Sequence, residues 1–131
     1  MYAAQLNHIL DAGEIIFYQD LVRRVPVADN VIAYAVNLVT RTRPNSQSAP
    51  QFIKDWISWG AGPRASQYLI LGAKARAVLN GAYTPTPEDV RAVALPVLRH
   101  RIVTNFNADA DGVGAHEIIE RLVQEIGKVE K

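Results

Sequence analysis

"GPRASQYLILGAKARAVLNG", residues 62–81, decides the fold. Proline in a first helical turn sacrifices no hydrogen bond, so a helix starts at Pro63 or Arg64. It runs to about Asn80, where Gly81 can close it in the left-handed conformation. Alanine, leucine, isoleucine, valine and tyrosine fall on nearly every side of it. A helix that is apolar all round is a central, buried one. One residue conflicts with that reading. Arg64 sits on the first turn, where the helix dipole disfavours a positive charge.

The segments around this helix are also helical. Asp11 and Glu14 have capping-box spacing and open a helix over residues 12–24. Ile15, Tyr18, Leu21 and Val22 share a face of it, with Ile16 and Phe17 beside them. Residues 25–27, "VPV", are extended because the position before proline avoids the α region. A second helix covers about 29–42, with Val31, Ala35, Leu38 and Val39 in period. "RTRPNSQSAPQ" is a loop of turn residues. "FIKDWISWGAG" reads as a short helix or irregular turn, and its Trp56 and Trp59 as core.

Beyond residue 81, "TPTPEDVRAVALPVLRHRI" has Thr86 as N-cap, Pro87 at N1 and two acids at the positive dipole end. Pro96 falls inside this helix and should bend it. "TNFNADADGVG" reads as a linker. The last helix, about 115–127, aligns Ile118, Ile119, Leu122, Val123 and Ile126. The fold class is therefore all-α: a small helical bundle, with room for one short two-stranded β pairing near Val25–Val27.

The chain has 131 residues, 49% hydrophobic and 21% charged, which suits a single globular domain with its own core. A net charge of +1 gives no overall field toward nucleic acid or an acidic membrane. The chain has no cysteine, which excludes disulfides, thiolate metal sites and a Cys nucleophile and fits a cytoplasmic location. No apolar run reaches the ~20 residues of a membrane span, and the N-terminus lacks the basic region of a signal peptide. There is no G-x-x-x-x-G-K-[ST] phosphate loop, no H-E-x-x-H and no G-x-S-x-G. His8, His100 and His116 lie far apart. "DADG" at 109–112 echoes the start of a calcium loop without its glutamate. No catalytic residue is assigned, and no metal site.

Two basic features remain. "LRHR" at 98–101 places cations in a last helical turn, where they complement the dipole. Arg64 supports two readings on the residues alone. It is a surface or ion-paired arginine, or it faces an anion held at the helix N-terminus, where N–H groups, dipole and guanidinium converge. Gly60 and Gly62 would let backbone approach such a ligand closely.

"RVPVADNVIAYAVNLVTRTR" followed by "WGAGPRASQYLILGAKARAVLNGAYTPTPEDVRAVALPVLRHRI" resembles the C-terminal lid domain of MoxR-type AAA+ ATPases. The resemblance covers roughly residues 12–126. It rests on "GAGPRAS", the A-x-A-x-x-x-G of the following helix, "TPEDV" and "LRHRI" in that order. It implies that Arg64 is the sensor 2 residue, supported by Gly60, Gly62 and Pro63, reaching the γ-phosphate of ATP on its own or a neighbouring subunit. It implies a single lid domain over 1–131, a fragment without the upstream ATPase core, so that ATP and Mg belong to the parent protein and the chain alone neither hydrolyses ATP nor binds it tightly. Implied partners are the upstream AAA+ core, neighbouring subunits of a hexamer and von Willebrand factor A domain proteins, with no nucleic acid and no membrane span. The implied parent is a chaperone-like remodeller.

Two other readings compete. A helical protein-interaction module without a nucleotide role would pair Arg64 with an internal carboxylate such as Asp55. A DNA-binding domain would use Arg91, Arg99 and Arg101. Six acidic against three basic residues from Asn105 to Lys131 argue against the second.

Overall fold

Residues 62–81 form the helix that the sequence demands, Pro63–Leu79, in a computed structural model that describes residues 7–129. In chain order the elements are α1 (Ala12–Arg24), α2 (Asp29–Arg41), α3 (Gln51–Trp56), β1 (Ile57–Trp59), α4 (Pro63–Leu79), α5 (Pro87–Leu98), β2 (Val103–Thr104), α6 (Phe106–Asp111) and α7 (Ala115–Val129). α4 packs most extensively on α5 and α2, while α7 lies against α5 and α2. Leu38, Leu69, Val90, Leu98, Ile119 and Leu122 meet in the core.

The side of α4 that faces α5 and α2 carries Ala65, Leu69, Ala73 and Ala77, all inaccessible. Small side chains four residues apart line one helix face and let neighbouring helices approach. The expectation of burial on every side does not hold. Leu71 is 39% exposed, and Tyr68 and Leu79 also reach solvent. Gly81 closes the helix at φ 71°, as its position requires.

The anticipated capping box of α1 is present, and Thr86, expected as an N-cap, forms a second one with Asp89. The Asp11 carboxylate accepts from Glu14 N–H at 2.8 Å, and Thr86 and Asp89 cap each other's backbone at the start of α5. α5 continues through Pro96 to Leu98, and the Arg99 N–H still reaches the Leu95 carbonyl.

The β pairing lies elsewhere than expected. Residues 25–27 are extended coil between α1 and α2, and Pro26 has no N–H to give a ladder. The strands are β1 and β2, paired antiparallel with Ile57 opposite Thr104 and Trp59 opposite Val103. A three-residue strand with a partner over 40 residues away has no local periodicity to reveal it. The "linker" at 104–114 contains α6. Asn105 caps it by accepting from Ala108 N–H at 3.1 Å, and Gly112 ends it at φ 68°. Trp56 is half-buried, with Nε1 donating to Asp111 at 2.9 Å. Trp59 is no core residue: it is 73% exposed.

Candidate functional site

The stretch that delivers Arg64 is held in place from the end of α2. Thr42, wholly buried, donates its hydroxyl to the Val39 carbonyl at 2.7 Å and accepts from Ala61 N–H at 2.9 Å. Arg43 Nε donates to the Ala61 carbonyl at 2.9 Å. Both backbone groups of Ala61 are thus bound to adjacent residues of one neighbouring segment. Gly60 lies flat on the same segment. A Cβ there would stand 2.5 Å from the Thr42 carbonyl oxygen and 2.6 Å from the Arg43 Cα. No side chain fits, and the obstacles are backbone, so the contact itself demands glycine.

Gly62 is the N-cap of α4, and nothing crowds its missing Cβ. It carries no side-chain oxygen, so no side chain caps the first turn, unlike Asp11 on α1 or Thr86 on α5. Pro63 follows at N1, and Arg64 occupies the next position. No acidic residue lies in this turn. Dipole and guanidinium therefore add their positive character at one end of the helix.

Arg64 is exposed. Among the described residues it takes part in no hydrogen bond, ion pair or ring contact. Asp55, the carboxylate proposed as its internal partner, instead accepts from Gln51 Nε2 at 2.8 Å. Beside the loop is a cleft of about 300 Å³, bounded by Gly60–Gly62, Arg43, Pro44, Asn45, Ser58 and Trp59.

Of the other candidate cations, Arg91 and Arg101 are engaged locally, while Arg99 is exposed. Arg91 bonds Glu88 at 2.7 Å and the Tyr34 hydroxyl at 3.1 Å, and these bonds raise its pKa further above the ordinary arginine value. Arg101 donates to the Val97 carbonyl at 2.5 Å, contacts His100, and lies 4.7 Å over the Tyr68 ring. Binding a last-turn carbonyl is the dipole-complementing role expected of the 98–101 segment. His116 pairs with Glu120 at 3.0 Å. Among the described residues no three His, Asp or Glu side chains are grouped to hold a metal ion.

Sequence reasoning placed Gly60, Gly62, Pro63 and Arg64 on one turn but missed the clamp formed by Thr42 and Arg43. A signal for Thr42 was present. It follows Ala35, Leu38 and Val39 at the next helical position of the same face, where a polar residue must satisfy its hydroxyl.

A family model described as "AAA lid domain" matches residues 51–122. The chain is 33% identical over 122 residues to chaperone MoxR1 of Mycobacterium tuberculosis, covering 93% of this chain and 32% of that protein. It is 48% identical over 46 residues to protein MoxR of Paracoccus denitrificans, covering 35% of this chain and 14% of that one. A crystal structure from Cytophaga hutchinsonii, provisionally described as an ATPase, superposes with a TM-score of 0.80 at 29% identity over 86% of this chain and 34% of the other. The chain spans about a third of the length of MoxR1 and of that crystal structure. It belongs to the AAA lid domain family, as a lid module of the MoxR type.

Proposed function

We propose that this lid senses the nucleotide of an AAA+ core, with Arg64 as its sensor 2 residue and Gly60, Gly62 and Pro63 setting the approach. The observation that carries this reading is an exposed arginine with no partner among the described residues, on an uncapped first turn, behind a loop bonded rigidly to α2. A turn bearing a cation, a positive dipole end and no acid suits a phosphate. The planar guanidinium stays charged and binds two phosphate oxygens at once.

The core holds ATP and Mg and supplies the residues that hydrolyse it. The lid's part is to bind the terminal phosphate oxygens while negative charge is there and to release when it leaves. The whole protein is a chaperone-like remodeller working in the cytoplasm as a ring of six, with von Willebrand factor A domain proteins as partners. This lid alone does not turn over ATP. Arg64 meets the nucleotide of its own subunit or that of the next. No described helix is long and apolar enough to cross a membrane.

An interaction module without nucleotide would be favoured by an internally paired Arg64, and Asp55 is committed to Gln51. The test is ATP turnover by the polypeptide that joins this chain to its core. Arg64→Ala should lower the rate on the order of 10²-fold, with helical content and melting temperature unchanged. Turnover at the wild-type rate would remove Arg64 from the nucleotide site.

A further inference from the structure

The end of α5 meets the start of α4. Gly72 of α4 faces Val93 of α5, whose Cγ2 would stand 3.3 Å from a Cβ added there. One turn back along α4 is Tyr68, and one turn on along α5 is Val97. Arg101 joins the two: Nη1 donates to the Val97 carbonyl at 2.5 Å, and its guanidinium lies 4.7 Å from the Tyr68 ring centroid. The helices therefore run antiparallel, and the 98–101 segment returns to the Arg64 end of α4. Tyr68 follows Arg64 by four residues, on the same helix face. Helical side chains lean toward the N-terminus, so the half-exposed Tyr68 ring and the guanidinium upon it lie over the turn that begins at Arg64.

We infer that Arg101 is a second arginine of the nucleotide site, binding the terminal phosphate beside Arg64, an inference that rests on the sensor reading. Nη1 is taken by Val97 and His100, but Nε and Nη2 donate to nothing among the described residues, and no described carboxylate pairs with Arg101. Arg64 has no partner among them either, and the first turn of α4 carries no acid. Two guanidiniums at one end of a helix pair repel each other until an anion lies between them. A terminal phosphate offers several oxygens, enough for two arginine forks. Tyr68 is the positioning residue. Its ring holds the half-buried Arg101 guanidinium in place on folding, so this second cation is ordered before any ligand arrives.

Binding, rather than turnover, tests this. Affinities for ADP and for slowly hydrolysed ATPγS are measured in the polypeptide that joins this chain to its core, as wild type, Arg64→Ala, Arg101→Ala and the double variant, with the melting temperature of each. Arg101→Ala should lower the preference for ATPγS over ADP about tenfold. The double variant should lose less than the product of the two single losses, because both arginines act on one group. Tyr68→Phe should keep the preference, and Tyr68→Ala should lower it several-fold. Where Arg101→Ala does not fold, Arg101→Lys keeps a cation over the ring without the fork and should still lower the preference several-fold. A lower melting temperature in Arg101→Ala with the preference intact overturns the inference and makes Arg101 structural. Losses that multiply in full also overturn it, by assigning Arg101 to a different anion. An unchanged preference in Arg101→Ala beside a lowered one in Arg64→Ala overturns it and leaves the sensor standing. The reverse pair overturns the sensor reading and keeps Arg101 as the phosphate contact.

Discussion

α7 and α1 are helices of 15 and 13 residues with opposite fates. α7 keeps a strict helical period. Ile118, Ile119, Leu122 and Ile126 are buried, while His116, Glu117, Glu120 and Gln124 meet solvent. α1 has as many large apolar residues, but Ile15, Ile16, Phe17, Tyr18 and Leu21 point in several directions and all stay exposed. The difference teaches how to read apolar content. A narrow stripe is a helix whose burial is completed inside this chain, and a scattered set is one whose burial is not.

The largest effect should come from breaking the completed side. Leu122→Ala in α7, or Leu69→Ala in α4, should cost about 2–5 kcal/mol in denaturant unfolding, because both side chains are inaccessible. Leu71, 39% exposed, should give a clearly smaller loss. Next comes Gly60→Ala. Its Cβ meets backbone on the α2 side, so about 1–3 kcal/mol is expected, and the same melt measures it.

The two capping boxes sharpen the comparison. Thr86→Ala removes the cap of a core helix and should lower global stability by about 1 kcal/mol. Asp11→Ala removes an equivalent cap from α1. Amide exchange should speed up throughout α1 while the global unfolding free energy moves by less than about 0.5 kcal/mol. A global loss as large as that of Thr86→Ala would show that α1 is part of the cooperative core. The smallest effect belongs to Phe17→Ala, within about 0.5 kcal/mol in this chain, since the ring is mostly exposed.

The helices were legible because their signals are local. The Asp11–Glu14 capping box, Thr86 as N-cap, Pro63 at N1 and Gly81 at the end each act within four residues. The resemblance of the 59–102 stretch led to the lid family for the same reason, as a contiguous run of motifs. What was missed depends on distant partners. β1 and β2 exist only because residues 57 and 104 meet. The α6 segment had its Asn105 cap and Gly112 stop in view, but with six residues it was too short for periodicity. Trp59 was read as core by residue type, and tertiary placement on a short edge strand decided otherwise. At the site, Gly60 invited a ligand reading. Its glycine is explained by contact with the segment that follows α2, and of the four residues read as the site only Arg64 carries a charge, with no partner among the described residues.

The clamp on Ala61 has a consequence for binding energetics. A flexible phosphate loop must be frozen when its ligand arrives, at about 1–2 kcal/mol per residue of backbone entropy. Here both backbone groups of Ala61 are already held by Thr42 and Arg43, so that ordering occurred on folding. An anion bound at α4, as proposed, would then have mainly the rotamers of one arginine to quench, about 2 kcal/mol. A site prepared this way can be weak in ground-state affinity and still respond sharply to the loss of a single phosphate, because little of the exchange is absorbed by rearranging its surroundings.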